Sequence, residues 1–477
     1  MSALWTIEDM AAAMRADKSG ALPADIAGIS IDTRTLARGE AFFAIQGDKR
    51  DGHEFVEGAL KAGAGVAVVA RAKRSMFATD APLLLVDDVL EGLRDLARAS
   101  RARSRAKIVA VTGSVGKTGS KEALRLALSA DAETFASAAS YNNHWGVPLS
   151  LARCPASAHY AVFEIGMNHA GEITPLVKLV RPHLAIITTV EPVHLEYFGS
   201  IEKIADAKAE IFSGIEPGGV AILNRDNNQY ERLAGAARAA KVSRIVTFGE
   251  NPAADARLMR HSLQAEQSCV QASILGQEVT YKLGAPGKHI ILNSLAVLAA
   301  VSLVGADLAL AALALNQLQA PTGRGARMTL RVPGGSALLI DESYNANPAS
   351  MAAAIALLGQ SAVGPQGRRI AVLGDMLELG SEGVPLHRAL AQSLEMAKVD
   401  LVFCSGPLMH SLWQALPSGR RGGYAETASA LEPAVLDAIR AGDAVMVKGS
   451  LGSKMGPIVK ALERQFPGRP ALEAQNA

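Results

Sequence analysis

Residues 109–124, VAVTGSVGKTGSKEAL, run a β-rich apolar stretch straight into a glycine-rich turn and then into a helical pattern, and no other segment restricts the chain as much. Backbone N–H groups of such a turn, with a helix N-terminus behind them, form a concave anion site. Gly113, Ser114 and Gly116 shape the turn, Lys117 can reach β- and γ-phosphates, and the Thr118 hydroxyl can ligate Mg²⁺. The complete Walker pattern wants Gly at 111, where this chain has Val111. The strand-to-helix placement therefore carries the nucleotide-phosphate reading, against the alternative of a bland glycine turn.

The same rhythm recurs along the chain and predicts an α/β protein of three domains, as a length of 477 residues allows at roughly 150 residues per domain. In 1–86, short apolar runs (AFFAI, VAVVA, LLLV) alternate with helix-like stretches such as 55–62, giving a small α/β unit. In 87–321, an Arg-rich amphipathic helix leads into KIVAVT, YAVFEIG, LAIITTV, VAILN and RIVTFG, the pattern of βαβ units around a mostly parallel sheet. Strand-like runs at 268–275 and 279–283 suggest a β-rich appendage, and the turn cluster PTGRGAR a hinge near 321–325. In 322–477, ALLIDES, RIAVLGD, LVFCSG and AVMVKGS read as a second, Rossmann-like pattern, whose ligands bind at the carboxyl ends of the strands.

Composition narrows the partners. A formal charge of +2 gives no general attraction to nucleic acid or an anionic membrane. The three cysteines lie more than a hundred residues apart, which excludes a disulfide framework and points to a reducing cytosol. No signal peptide is expected from MSALWTIEDM. The apolar run 296–315 mimics a membrane span, but Gly305 followed by Asp307 reads as one helix ending and a second being capped.

Other polar residues stand in apolar settings. Glu164 follows the strand YAVF, where a carboxylate projects from the sheet's carboxyl end as a metal ligand or a solvated loop group. His194 precedes a helical pattern in which Lys208 lies among Ala207, Ala209, Ile211 and Phe212, and burial there would lower its pKa and expose a nucleophilic amine. Taken alone, either is as readily a surface or core residue. Asp341, Tyr344, Asn345 and Asn347 cluster at a strand end that Arg324 could bridge to phosphate, although such groups also make ordinary Asx turns.

In order along the chain, TGSVGKT, YNNHWGVPLS, FEIGMNHAGEI, HLEYFGS with AKAEIF, LNSLA, GRG, DESYNANP, LGDMLELG and VKGS resemble the Mur ligase family of ATP-dependent amide-forming enzymes. ISIDTRTLARGEAFFAIQGDKRDGHEF resembles that family's uridine-nucleotide substrate domain. The resemblance implies a UDP-substrate-binding domain over 1–86, a central ATP-binding domain over 87–321 and a mobile Rossmann-like ligase domain over 322–477. It implies that Lys117 and Thr118 hold ATP phosphates and Mg²⁺, with two ions expected, and that Glu164 and His194 ligate or position metal. Lys208 aligns with the lysine the family carbamylates with CO₂. Asn293, Arg324, Asp341 and Asn345 correspond to nucleotide contacts, and Asp32, Thr33, Arg34, Asp51, Gly52 and His53 fall in the uridine-substrate motifs. The family more often has Asn and Gly where this chain has Thr189 and Glu191.

Within the family, DESYNANP with GDMLELG implies the activity that adds D-alanyl-D-alanine to a UDP-N-acetylmuramoyl-tripeptide through an acyl phosphate, in cytoplasmic peptidoglycan precursor synthesis. The DNPR-type motif of the diaminopimelate-adding relatives is absent. A monomer without membrane insertion is expected. The rival readings are a folylpolyglutamate synthetase-like ligase, against which the DTR and DGHEF motifs argue, and a catalytically silent nucleotide-binding scaffold.

Overall fold

Three large sheets and a two-stranded one, Trp5–Thr6 with Asp25–Ile26, organise the chain in a computed structural model that describes residues 3–47, 50–138, 140–264, 267–320 and 323–470. The N-terminal sheet has five strands in the order Asp17–Ser19, Leu83–Val86, Val66–Ala70, Glu40–Phe43 and Gly28–Ser30, parallel except for the first. Its central strands are continuous apolar runs because helices or loops cover both faces.

The central sheet has nine strands. Gln277–Leu283, Ser268–Ile274, Ala256–Leu263, Arg244–Gly249, Val220–Asn224, Leu184–Ile187, Lys107–Thr112, Tyr160–Glu164 and Thr134–Ala136 follow one another across it. The six from Arg244–Gly249 onward are parallel. Here the expected β-rich appendage is corrected: Ser268–Ile274 and Gln277–Leu283 pair antiparallel beyond Ala256–Leu263 and prolong the same sheet. The cause is the alternation in Ser268–Ile274, which buries every second residue against the core that the parallel strands also build.

One face of the central sheet is covered by the helix Lys117–Ser129 and the long helix Lys288–Val304, the other by Ile173–Val180, Ile201–Ala209 and Tyr230–Ala239. Lys288–Val304 ends at Gly305, whose φ of 84° only glycine adopts freely, and Asp307 caps the next helix by accepting from the Ala309 and Leu310 N–H groups at 2.8 and 2.9 Å. Among the described residues no helix is long and apolar enough to cross a membrane.

The C-terminal sheet orders Arg421–Ala425, Leu401–Ser405, Arg369–Gly374, Ala444–Lys448, Gly335–Glu342, Ala326–Val332 and Arg469–Pro470, with the first five parallel. The helix Val89–Arg103 joins the first sheet to the second: Val89, Leu93 and Leu96 enter the same apolar cluster as Trp5, Leu149 and Ala152. That junction is also polar. Trp5 Nε1 donates to the Ala152 carbonyl at 2.9 Å, Arg153 donates to the Ile29 carbonyl at 2.7 Å, and Arg103 stacks 3.4 Å above the Trp5 ring.

Candidate active site

Strand Lys107–Thr112 delivers the glycine-rich turn and helix Lys117–Ser129 receives it, so the turn sits at the carboxyl end of the central sheet. Val111 is fully buried inside that strand, and the tight backbone begins only at Gly113. Glycine is required there for space: a Cβ at Gly113 would overlap the Thr188 hydroxyl, and one at Gly116, which also has φ 86°, would overlap the Asn293 amide. Asn293 is thereby placed directly against the turn. The turn is tied to residues 188–191, since Ser114 N–H donates to the Thr189 carbonyl at 2.9 Å and Thr188 Oγ1 to the Val115 carbonyl at 2.5 Å. Thr189 and Glu191 fit this tie. Glu191 N–H donates to Ser114 Oγ at 2.9 Å, Thr189 donates to Glu191 Oε1 at 2.9 Å, and burial raises the Glu191 pKa against that bond.

A cleft of about 520 Å³ opens above the turn, walled by the central body on one side and the C-terminal body on the other. Ser114, Gly116, Lys117, Glu164, His194 and Asn293 line it from the first, Arg324 and Asn345 from the second. Lys117 donates to the Gly113 carbonyl at 2.7 Å; burial lowers its pKa, Glu164 opposes that, and the Arg324 charge adds to it. Thr118 donates to one oxygen of buried Glu164 at 2.9 Å, and Asn142 donates to the other at 2.7 Å. Lys208 is buried within range of the Lys117 charge and does not line the cleft; its pKa is driven well below the ordinary value first by burial and then by Lys117. No carboxylate is paired with it among the described residues. His194 has a left-handed backbone, φ 56°, and its Nδ1 meets the Glu378 carboxylate of the C-terminal body. Burial lowers the His194 pKa, with Glu378 opposing and Lys117 and Lys208 reinforcing.

Other expected site residues are engaged within the fold. Both Asp341 oxygens take protein donors, Gly323 N–H at 3.0 Å on one and Ser343 N–H and hydroxyl at 3.0 and 2.6 Å on the other, so Asp341 pins the hinge segment to a strand end. Pro321 and Thr322 of the expected hinge lie outside the described residues. Arg324 stacks 4.4 Å over the Tyr344 ring. In the N-terminal body, His53 Nε2 accepts from the Ala70 N–H at 2.9 Å, and its Nδ1 lies 2.6 Å from Asp51, which also pairs with Lys73. Burial works to raise the Asp51 pKa, but the bonds from Lys73 and His53 outweigh it and hold the carboxyl below its usual range. A Cβ on Gly52 would press on the Ala44–Ile45 backbone. Asp32 accepts the Arg34 guanidinium at 2.6 Å, which lowers its pKa to about 2, with Thr33 between them. None of these N-terminal residues lines the cleft.

Three groups at the site escaped the residue-by-residue reading although their motifs were quoted: Asn142, Glu378 and Lys448. Lys448 is buried and donates to Glu342 at 3.1 Å and to the Asn345 carbonyl at 2.9 Å, bracing the loop that lines the cleft. Lys448 ends the apolar strand Ala444–Lys448 and Glu378 follows Arg369–Gly374 by four residues, positions that mark them in the sequence, whereas no apolar run leads directly into Asn142.

Family comparison covers most of the chain. The Mur ligase middle domain matches residues 111–301, the Mur ligase glutamate ligase domain 326–451, and the Mur ligase family catalytic domain 25–101. The UDP-N-acetylmuramoyl-tripeptide–D-alanyl-D-alanine ligase of Escherichia coli is 35% identical over 91% of this chain and 93% of its own, and that of Rickettsia prowazekii 32% over 90% and 94%. The crystal structure of MurF from Acinetobacter baumannii superimposes with a TM-score of 0.81 at 28% identity, covering 96% of this chain and 99% of its own. MurF from Thermotoga maritima in complex with ADP gives 0.74 at 25%, covering 92% and 97%.

Proposed function

The chain belongs to the Mur ligase family, and from that premise we propose that it is the ATP-dependent ligase that joins D-alanyl-D-alanine to UDP-N-acetylmuramoyl-tripeptide. The products are UDP-N-acetylmuramoyl-pentapeptide, ADP and phosphate. The observation that carries this reading is the convergence of Lys117 and Arg324, one from each wall of the cleft, with Lys208 buried within range of the Lys117 charge. A carboxylate is a poor acyl donor, so its oxygen must first attack the γ-phosphorus of ATP, with ADP leaving, to form an acyl phosphate. That step brings two anions together, and cations fixed on opposite walls offset their repulsion while holding the groups in line. The amine of the dipeptide then attacks the acyl carbon and phosphate leaves. Turn N–H groups and Lys117 bind the ATP phosphates, Asn293 and Asn345 lie within reach of the nucleotide, and Arg324 reaches across from the other wall.

Thr118 and Glu164 are hard oxygen donors already in contact, and they fit the magnesium that ATP brings. When bound, that ion neutralises phosphate charge, and His194 would serve a second one. Lys208 fits carbamylation because burial favours its neutral amine, which can add to CO₂ with loss of a proton and become an anion. Lys208→Ala is then nearly inactive and partly rescued by short carboxylates, whereas full activity would exclude an essential carbamate.

The three bodies take the roles expected of 1–86, 87–321 and 322–477, with the UDP moiety on the first near Asp32, Thr33 and Arg34. In that body Asp51, Gly52 and His53 shape the loop. Substrates of this kind place the enzyme in the cytoplasm, and a single chain supplies both walls of the cleft, so a monomer suffices. The test is ADP release with a panel of UDP-muramoyl peptides and amino-acid acceptors. Release that requires both the tripeptide and D-alanyl-D-alanine, with the pentapeptide found by mass, supports the reading; release without either substrate sinks it.

A further inference from the structure

Across the rim of the cleft, the central and C-terminal bodies touch through Glu378. Its carboxylate meets His194 Nδ1, and its carbonyl accepts from the Glu196 N–H at 3.2 Å, with Gly380 packed against Glu196. Both partners are non-glycine residues in the left-handed region, His194 at φ 56° and Glu378 at φ 63°. Such conformations persist only where the surroundings enforce them, and here two sit face to face on separate bodies.

The loop that carries Glu378 is fixed to its own body at each of the three preceding residues. Buried Asp375 accepts from the Met409 N–H at 2.8 Å, Met376 N–H donates to His387 Nε2 at 2.9 Å, and Leu377 N–H donates to Ser450 Oγ at 3.0 Å. Glu378 therefore travels with the C-terminal body as a rigid finger. A carboxylate can only accept, so the His194 it meets must carry a proton on Nδ1, and in the neutral ring that leaves Nε2 as the lone-pair nitrogen facing the cleft the ring lines.

We infer that Glu378 is a positioning residue of the C-terminal body that sets the tautomer and orientation of His194 only while the two bodies are docked, so that closure itself completes the central half of the site. This rests on the proposed reading of His194 as a working group of the cleft. Both side chains are partly exposed, 26% for His194 and 41% for Glu378, so water can replace the contact when the bodies part, and it acts as a reversible sensor of closure more than as a lock.

The test uses the full-length enzyme and its Glu378→Ala and Glu378→Gln variants. Glu378→Ala should lower kcat by about 10- to 100-fold while the KM for the UDP-tripeptide stays within about twofold. Glu378→Gln, whose amide oxygen can still accept from Nδ1–H, should recover to within about threefold of the parent. In parallel, amide hydrogen exchange across 192–199, measured without turnover, should rise in Glu378→Ala and stay near the parent in Glu378→Gln. Parent-like kcat in Glu378→Ala overturns the inference. So does a Gln variant as impaired as Ala, or an Ala variant that loses thermal stability and every kinetic constant together. If the parent enzyme releases no ADP with both substrates, the reading of function fails instead, and the exchange at 192–199 still decides whether Glu378 holds the His194 turn.

Discussion

Replacing Lys117 with alanine separates catalysis from folding. In the free protein the ammonium makes one short bond, 2.7 Å to the Gly113 carbonyl, and a hydrogen bond to a charged group contributes about 1.5–3 kcal/mol. Against that, burial and the neighbouring Arg324 already disfavour its charge, as its lowered pKa records, and Lys117 in turn disfavours the charge on Lys208. The two effects oppose each other, so the net change in stability should stay within about 1 kcal/mol, or about 2–4 °C in Tm for domains of this size. During phosphoryl transfer nothing compensates for the loss. Removing one preorganised contact to developing charge costs about 2.7–4 kcal/mol, a fall of about 100- to 1,000-fold in kcat. A coupled ADP assay at saturating tripeptide and dipeptide, run beside thermal unfolding, reads both quantities. A kcat within about tenfold of the parent would refute the phosphate role, and a Tm drop well beyond that range would refute the claim that the lysine is held against its own solvation.

Lys208 predicts a pH dependence. Between its depressed pKa and the ordinary 10.5, the unfolded chain binds a proton that the folded chain lacks, so stability rises with pH across that window. Lys208→Met, compared in CO₂-free buffer by urea midpoints, should flatten the rise, and a parallel curve would count against burial of the amine. Arg324→Ala should weaken turnover and the compaction that a non-hydrolysable ATP analogue with UDP-tripeptide produces in small-angle scattering, leaving UDP-substrate binding intact; equal loss of both would indicate a folding defect. His53→Ala should cost about 1 kcal/mol of stability, because it leaves the half-buried Ala70 N–H without its side-chain acceptor. Loss of UDP-substrate affinity at an unchanged Tm would instead make His53 a ligand contact.

The elements legible in the sequence were those whose burial is two-sided. KIVAVT and YAVFE read as strands because helices cover both faces of a parallel sheet, so nearly every position is apolar and no other period competes. The hairpin 268–283 read as strands too, but its place did not, since its alternation says which face is buried and nothing about which sheet it extends. The site divides in a similar way. Gly113, Lys117 and Thr118 are singled out by local order alone, because a glycine-rich turn between strand and helix is built from consecutive backbone, which the motif contains.

Residue types taken from motifs say less about which polar atoms remain free. Asp341 and His53 match their motifs, yet the fold uses both oxygens of the one and both ring nitrogens of the other to hold loops in place. Those bonds fix the shape of the loops that carry the two motifs. The reverse holds for Glu378, which is 184 residues from His194 in sequence and becomes its partner only because two separate sheets present their carboxyl ends to one cleft. No periodicity or spacing encodes such a meeting. What the sequence does carry is its precondition, the buried Asp375 that anchors the loop to the Met409 N–H and so fixes where Glu378 stands when the bodies come together.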